Sequence, residues 1–345
     1  MDSISQFVLG AAVGEAVLGK SMKNKALLWG GIAGTIPDLD VIFSPVMSEV
    51  DSLAFHRGIS HSISFAVLGA LLFGWLLFKL YNRRNGEGIN APPTLNKWRW
   101  MFFLAFLTHS LLDCFTMYGT QLFAPFSDYR VAFSTVSVAD PLYTVPFLIS
   151  LVVVAFYNSP KKRALWNYIG IAWSCLYLCF TIINKQIVSD KYEAQLAKQG
   201  IEYQRYILGP TILNNILWSA TVETDSFYLQ GQYSLFDKSD IIFNRIDKHH
   251  NLLENKSYDR TTSILKWFTD GYFNIITRSD GHLQFNDLRY GTFRGTGDGE
   301  NDYIFRFVLD RAPDGAYIVK ETKGGPEPGD EKLLMKRLID RIKGI

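Results

Sequence analysis

The chain has 345 residues, 48% of them hydrophobic, and a formal net charge of +2. This near-neutral balance, without a concentrated basic face, argues against a protein dedicated to binding nucleic acid. Residues 1–189 hold most of the long hydrophobic runs, with 14 Lys and Arg against 10 Asp and Glu, whereas residues 190–345 carry 21 against 23. Two domains are therefore predicted, a membrane domain at 1–189 and a polar domain at 190–345.

Six apolar segments in the first domain predict helices that cross or re-enter a membrane. The first two each carry a pair of glycines at four-residue spacing, Gly10 with Gly14 and Gly30 with Gly34, which allows membrane helices to pack closely. A signal peptide is the alternative for the first segment, but this segment lacks a basic start and contains Glu15. The remaining four are long enough to span a hydrocarbon core. The six segments are 4–19, 26–43, 62–81, 98–118, 141–157 and 165–184.

Lys and Arg in the short loops predict the orientation of the six spans, because cytoplasmic loops are enriched in these residues. All three basic loops fall on one side of a six-span topology, so both termini and the loop at 44–60 are expected to face outward from a bacterial cytoplasmic (inner) membrane. The basic residues are Lys20, Lys23 and Lys25; Lys79, Arg83, Arg84, Lys97 and Arg99; and Lys161, Lys162 and Arg163.

After residue 184 the pattern changes to a polar helical stretch and then to short alternating runs rich in aromatic and β-branched residues, which are typical of strands. An amphipathic helix is predicted at 329–342. The predicted fold is a membrane all-α helical bundle of about six transmembrane or re-entrant helices, followed by a C-terminal extracytoplasmic β-rich or α+β domain. The predicted strands are 227–236, 241–246, 272–278, 303–309 and 317–321.

Seven ionisable side chains of metal-ligand type lie in or beside the apolar segments. Such groups are costly in a bilayer, so each one is a functional-site hypothesis. Asp38 and Asp40 follow Pro37 at the outer end of the second span, where residues two apart can point the same way. The seven are Glu15, Asp38, Asp40, His56, His61, His109 and Asp113.

The histidines extend this pattern. His56 and His61 flank the flexible Gly58 just before the third span, where Ser60 is a candidate helix cap. His109 and Asp113 are four residues apart on the fourth span and therefore share one helix face. Imidazole and carboxylate together are the ligand set expected for zinc, manganese or iron.

Each residue also has a simpler explanation. An isolated His can be a hydrogen-bonded packing residue, the Asp pair a solvated loop, and Glu15 the partner of a lysine such as Lys20. Three His and three Asp at one membrane level nevertheless favour a divalent-metal site, with one or two zinc ions expected first and manganese or iron as alternatives. Glu15 is a further candidate ligand, or alternatively a second-shell group or general base.

Over residues 1–157 the chain resembles the YdjM-like family of predicted membrane-bound metal-dependent hydrolases. The resemblance implies a membrane-bound, metal-dependent hydrolase, and it identifies the site more securely than the reaction. The motifs that carry it are Ser5-Gln6 with Leu9-Gly10, the stretch from Gly34 to Asp40, His56-Arg57-Gly58-Ile59-Ser60-His61-Ser62, the stretch from Thr108 to Asp113, the stretch from Tyr118 to Leu122, the stretch from Pro125 to Arg130, and Asp140-Pro141-Leu142-Tyr143.

The expected activity is hydrolysis of an ester or phosphoester of a membrane lipid or lipid-linked substrate by metal-activated water. Glu15, Asp38 and Arg57 are the candidate catalytic residues, and Arg57 and Arg130 can bind a phosphate, although Arg130 can equally stabilise its own loop with Asp128. Two alternatives stay open: a non-catalytic, metal-stabilised envelope or stress-response protein, and a metal or ion transporter. No protein partner of the C-terminal domain is predicted.

Overall fold

The computed structural model describes residues 1–84, 92–253, 259–293, 297, 299–324 and 329–345. The chain forms two compact units, one made of Met1–Ser44 and Phe55–Thr181 and the other of Pro45–Ala54 and Ile182–Ile345. The ten-residue segment Pro45–Ala54 belongs to the second unit, where Asp51 pairs with Arg260 and Glu49 accepts a hydrogen bond from Thr322.

The first unit is helical. Its elements begin with α1 and α2, which are followed by a 3₁₀ segment and a short helix, then by one 3₁₀ turn and four longer helices, the last of which continues into the second unit. The bounds are α1 Ser3–Met22, α2 Asn24–Thr35, 3₁₀ Pro37–Val46, α3 Glu49–Phe55, 3₁₀ Ile59–His61, α4 Ile63–Arg84, α5 Leu95–Cys114, α6 Pro141–Phe156 and α7 Pro160–Lys198.

Helices α1 and α2 form a hairpin in which the paired glycines touch. A Cβ added at Gly10 would lie 2.4 Å from the carbonyl oxygen of Gly30, and one at Gly14 would lie 2.2 Å from that of Ala26. Only glycine permits this approach of two helix backbones. The glycine spacing in the sequence therefore corresponds to a real helix contact, and it fixes α2 on α1.

Helix α5 lies at the centre of the first unit. Trp98, Met101, Phe102 and Phe106 are at most 2% exposed and form a core with small residues of α1, α2 and α4. A second core joins α1 to α6 around Tyr143. Because α5 carries both apolar core residues and the predicted ligands His109 and Asp113, its packing determines where those ligands lie.

Two described helices, Ile63–Tyr81 within α4 and Pro160–Lys198, are long and apolar enough to span a membrane. The pair Asn24–Thr35 and Pro37–Val46, bent by 43°, would make a third span, and α6 is apolar but shorter. Charged residues in α1 and α5 reduce their apolar character. The structure thus contains a helical N-terminal region with candidate spans, and the expected number of about six stays a prediction.

The second unit holds two four-stranded antiparallel sheets, in the orders β1-β2-β3-β4 and β5-β6-β7-β8. All five predicted strands are present, whereas β1, β2, β6 and α8 lie outside the predicted set. The strands are β1 Arg205–Pro210, β2 Leu217–Glu223, β3 Phe227–Ser234, β4 Phe243–Asp247, β5 Phe273–Thr277, β6 Leu283–Thr292, β7 Tyr303–Arg311 and β8 Tyr317–Gly324, with a 3₁₀ turn at His250–Leu252 and with α8 Arg260–Phe268 and α9 Glu331–Ile342.

Polar contacts hold these sheets together. Thr221 of β2 donates a hydrogen bond to the backbone carbonyl of Leu288 in β6, at 2.7 Å. Tyr192, near the end of α7, is fully buried and donates to the carbonyl of Gly231 in β3, at 2.9 Å. The polar stretch after residue 184 is therefore the last part of α7, packed on the first sheet.

Candidate metal centre

Four of the seven predicted ligand residues converge in the first unit. Asp38 lies in the 3₁₀ segment just after Pro37, which cannot donate a backbone hydrogen bond inside a helix and marks the end of α2. His61 ends the single 3₁₀ turn before α4. His109 and Asp113 lie in the last two turns of α5, where the partial negative charge of the helix end favours a cation.

The ligand atoms of these four residues all lie within 4.8 Å of one another. His61 Nε2 is 3.0 Å from His109 Nε2, 3.2 Å from Asp38 Oδ1 and 3.3 Å from Asp113 Oδ2. His109 Nε2 is 3.5 Å from Asp38 Oδ1 and 3.4 Å from Asp113 Oδ2. A tetrahedral metal with bonds of about 2.0–2.2 Å separates its ligands by about 3.3–3.5 Å, so these spacings fit a metal ion.

The hydrogen bonds of the two imidazoles determine where their protons lie. His109 Nδ1 is 2.7 Å from the carbonyl oxygen of Gly34, so Nδ1 is the donor, and in the neutral ring Nε2 presents a lone pair. His61 Nδ1 is 2.9 Å from Ser60 Oγ, which donates its own hydrogen to Asp40 at 2.8 Å. His61 Nδ1 is then also a donor. Two imidazole lone pairs therefore face two carboxylate oxygens, an arrangement that a cation stabilises.

The Asp113 carboxylate faces the cluster with one oxygen. Its Oδ2 is buried and accepts no hydrogen bond from the described part of the chain, and its nitrogen neighbours lie at 3.3–3.4 Å, whereas Oδ1 accepts from Gln6 Nε2 at 2.9 Å and from the Met1 amino group. A buried carboxylate oxygen that accepts no hydrogen bond is costly, and a bound cation would stabilise it. The donor set of two imidazoles and two carboxylates therefore fits a divalent metal, and all four residues can hold it.

Asp40 and His56 lie beside the four-residue cluster. Asp40 accepts hydrogen bonds from His56 Nδ1 at 2.9 Å, from the backbone N–H of Arg57 at 3.2 Å and from Ser60 at 2.8 Å. Asp40 therefore orients His61 through Ser60. Carboxylates that hold a ligating histidine in this way, without touching the metal, are common in metal sites. Ser60 therefore does not cap α4 as predicted. Ser62 has that role, because its hydroxyl accepts from the backbone N–H of Phe65 at 3.0 Å.

Arg57, a predicted catalytic residue, is 5% exposed and lies against the cluster. Its Nε is 3.4 Å from Asp113 Oδ2, and Nη1 donates to Thr116 at 2.8 Å. Its φ of 58° is in the left-handed region, which costs a non-glycine residue free energy. That backbone turn brings the guanidinium to the cluster and directs the Arg57 N–H at Asp40.

The structure places Glu15 in a separate cluster with Arg163. The Arg163 side chain donates to both carboxylate oxygens of Glu15, at 2.9 and 2.6 Å, and both residues are buried. Arg163 also donates to Asn24 and to the carbonyls of Val154 and Tyr157. The predicted pairing with Lys20 is replaced by this one, because Arg163 from α7 offers a planar two-pronged donor. The structure does not bring Glu15 to the other six residues.

The cluster is closed on one side and partly open on the other. The side chains of His61, His109 and Asp113 are at most 1% exposed, whereas Asp38 is 21% and His56 25% exposed. Ligand access is therefore on the side of Asp38 and His56.

Sequence reasoning missed two groups that position the ligands. Gln6 donates a hydrogen bond to Asp113, and the feature of the sequence that could have indicated it is an amide side chain inside an apolar helix. The carbonyl of Gly34 orients His109, and a backbone group leaves no signature in the side-chain pattern. Both belong to the α1–α2 hairpin, so this hairpin is part of the support for the metal ligands.

Comparisons with known proteins place the chain in a family. A protein named "Uncharacterized protein YfhP" from Bacillus subtilis (strain 168) is 24% identical over 304 residues, which cover 84% of this chain and 87% of that protein. No solved structure matches the chain significantly. The family described as YdjM inner membrane protein matches residues 1–188, which is more than half of the chain and includes every ligand described above. This match confirms the resemblance seen in the sequence, and the chain belongs to the YdjM inner membrane protein family.

Proposed function

We propose that the protein is an integral membrane metal-dependent hydrolase that cleaves an ester or phosphoester of a lipid or lipid-linked substrate. The observation that carries the proposal is the convergence of Asp38, His61, His109 and Asp113 on one point, where Asp113 Oδ2 is buried and accepts no hydrogen bond from a described residue. Zinc is the first candidate for the metal, with manganese and iron as alternatives. A bound divalent metal supplies a Lewis acid and lowers the pKa of a coordinated water.

The residues of the chain have distinct parts in this proposal. Asp38 is the most exposed of the four ligands, so its second oxygen is best placed to take a proton from water on the open side. Asp40 fixes His56 through Nδ1, which leaves His56 Nε2 facing away from that carboxylate and able to carry a proton. Arg57 offers positive charge to a developing oxyanion. Glu15 is left out, because Arg163 binds both of its oxygens.

The proposed topology is a multi-pass one in the inner membrane, with six crossings and an extracytoplasmic C-terminal domain. Its support is the positive charge of three short loops and the apolar side chains exposed on α4, α6 and α7. Reporter fusions after residue 157 and after residue 345 test it. An extracytoplasmic signal at 345 together with a cytoplasmic signal after residue 157 is expected, and the reverse pair would contradict it. The exposed apolar side chains include Leu68, Leu72, Val145, Ile149, Ile169 and Leu176.

One observation favours a second candidate, a non-catalytic protein that the metal stabilises. Four protein ligands complete a tetrahedron, and catalytic zinc sites usually keep one position for water. In the hydrolase proposal, Asp38 must therefore be a weak or displaceable ligand, or the metal must have a higher coordination number. In the structural alternative, all four ligands stay bound and no water reaches the ion.

Substitution with Mn²⁺ separates these two candidates. Water-proton relaxation of the Mn²⁺-loaded protein in detergent counts exchanging water on the ion. The hydrolase proposal predicts at least one such water, and hydrolysis of short-chain phospholipids that is lost in Asp38→Ala while the metal remains bound. A fully loaded protein with no exchanging water and no hydrolysis would establish the structural role instead.

A further inference from the structure

Two arginines lie over one aromatic ring, that of Tyr118, beside the open side of the metal centre. The guanidinium carbon of Arg57 lies 4.8 Å from the centroid of the Tyr118 ring, and that of Arg130 lies 4.6 Å from it. The ring of His56, which is partly exposed beside Asp38, is 5.4 Å from the same centroid. Tyr118 therefore connects the exposed edge of the metal centre to two permanent positive charges.

Arg57 retains hydrogen-bonding capacity in this position. Nη1 is used by Thr116, whereas Nε makes no hydrogen bond with a described residue, although it lies 3.4 Å from the Asp113 carboxylate. A guanidinium offers five N–H donors in a fixed plane. Nε faces Asp113, so what Arg57 brings to the edge of the ligand cluster is a buried positive charge that attracts an additional anion.

Arg130 is held in place before any ligand arrives. Its side chain donates to the carbonyl of Tyr118 from Nη2 at 2.5 Å and from Nε at 3.2 Å, and to the carbonyl of Gly119 at 3.3 Å. Gly119 has a φ of 81°, which a glycine adopts without strain, and a Cβ there would lie 3.0 Å from Arg130 Cβ. The side chain thus loses little conformational entropy when it binds.

The charges of the site favour an anion once a divalent metal is bound. The carboxylates of Asp38, Asp40 and Asp113 are opposed by two guanidinium groups and the metal, which leaves one positive charge in excess. A phosphoryl group matches this surplus of positive charge, whereas a neutral carboxylic ester does not. The charge of the site therefore favours a phosphoester over a carboxylic ester as the substrate.

We propose that Arg57, Tyr118 and Arg130 form a subsite for a phosphoryl group, so that the substrate is a phosphoester. This inference rests on the proposed hydrolase function and narrows it. In the reaction, the oxygen of water bonds to phosphorus, the bond from phosphorus to the leaving alkoxide oxygen breaks, and one proton of the water passes to that oxygen. The two arginines hold the non-bridging oxygens.

The competing explanation is that both arginines only stabilise the loop around Tyr118. Arg130→Gln removes the charge and the fork of Arg130 but touches no metal ligand, and Arg130→Lys keeps only the charge. A matched control is Arg311→Ala, because the guanidinium carbon of Arg311 lies 4.7 Å from the ring centroid of Tyr317 in the second unit, which contributes none of the four ligands. Metal content is measured in every sample.

The test is calorimetric titration of the full-length protein, in detergent and loaded with metal, with inorganic phosphate, dihexanoyl phosphatidic acid and dihexanoylglycerol. Wild type and Arg311→Ala should bind the phosphate probes alike. Arg130→Gln should bind them about tenfold or more weakly with its metal content unchanged, and Arg130→Lys should fall between. Phosphatidic acid bound much more tightly than phosphate identifies a lipid headgroup as the source, and equal affinities identify free phosphate.

Two outcomes overturn the inference. The first is that metal-loaded wild type binds neither phosphate probe. The second is that Arg130→Gln binds both probes as tightly as wild type does. Either result leaves the proposed function standing if the metal is present. Conversely, phosphate binding that depends on Arg130 in a protein that takes up no metal supports the subsite and refutes the metal-dependent reaction.

Discussion

His109 donates a hydrogen bond from Nδ1 to the backbone carbonyl of Gly34, 2.7 Å away, and Gly34 is itself in van der Waals contact with the backbone of α1. The orientation of a candidate metal ligand on α5 therefore depends on how closely α1 and α2 approach each other. A change in the helix contact must move the acceptor of His109, and the metal centre responds to it.

Gly34→Ala tests this dependence. The added Cβ would lie 2.5 Å from the carbonyl oxygen of Gln6, so α2 must shift away from α1, at a cost of about 1–3 kcal/mol. Because the Gly34 carbonyl moves with α2, metal affinity should fall about tenfold or more. Leu28→Ala, at an exposed position of α2, is the control and should change neither quantity. Unchanged metal affinity in Gly34→Ala would show that the His109 contact does not matter.

Removal of single ligands should remove the metal. We expect His61→Ala, His109→Ala and Asp113→Asn each to lose stoichiometric metal, measured by elemental analysis of detergent-purified protein, because each removes one of the three buried ligands, unlike a change at the partly exposed Asp38. His282→Ala, at a histidine of the second unit that lies beside Lys320, is the control.

The same variants and wild type show whether a protonated histidine, rather than a metal ion, balances the two carboxylates. An imidazolium can also satisfy two carboxylates, and in that case wild type would contain no metal even after reloading. A metal-free but folded wild type therefore contradicts the metal centre, whereas equal metal in wild type and His282→Ala, lost in the three ligand variants, supports it.

Glu15→Gln should destabilise the protein without removing metal. The substitution leaves Arg163 as a buried charge without its carboxylate, and breaking such a pair costs about 3–5 kcal/mol. Asp240→Asn breaks the exposed pair with Lys198 and should leave the unfolding midpoint close to that of wild type. Loss of metal from folded Glu15→Gln would restore Glu15 to the ligand set.

The second unit should lose stability in acid through Glu223. Burial opposes ionisation of this carboxyl, but Lys248 and Arg205, at 2.8 and 2.7 Å, outweigh burial and hold its pKa below the ordinary value. The stabilisation is complete above the unfolded pKa of about 4.3 and is lost as the pH falls through the lower pKa of the folded state.

Glu223→Gln is therefore expected to flatten this acid-side loss. The measurement is thermal unfolding of the full-length chain at a series of pH values. Proteolytic cleavage within residues 205–324 reports the unfolding of this region. The surface substitution Glu202→Gln is the control and should follow the wild-type pH profile. A wild-type profile in Glu223→Gln would assign the acid sensitivity to other groups.

The apolar runs predict the helices well, because a bilayer or a core demands long apolar segments whatever the tertiary arrangement. The break after Thr35 was not predicted, since the run at 26–43 predicts one span and only Pro37 indicates a bend. Strand β2 was missed although Trp218, Ala220 and Val222 alternate with polar residues, and in the structure its polar side chains are buried as well.

For the candidate site, the residue types in the sequence identified the ligands, but the sequence did not indicate which residues contact each other. His61, His109, Asp38 and Asp113 were selected because ionisable groups are costly in apolar segments, and the structure brings them together. The partner of Glu15 is 148 residues away in the sequence, and no local spacing indicates such a contact. Long-range pairing follows from helix packing, which single-sequence patterns do not contain.

The four convergent ligands come from three segments separated by whole helices, so the site has an order of assembly. Asp38 and His61 leave the ribosome well before α5, and the pair on α5 completes the set. Binding of a metal by all four residues must therefore follow the synthesis of α5 and its docking on the α1–α2 hairpin. A protein arrested during synthesis before Asp113 should be unable to hold the ion, and loading of the metal would mark the point at which the helical unit has assembled.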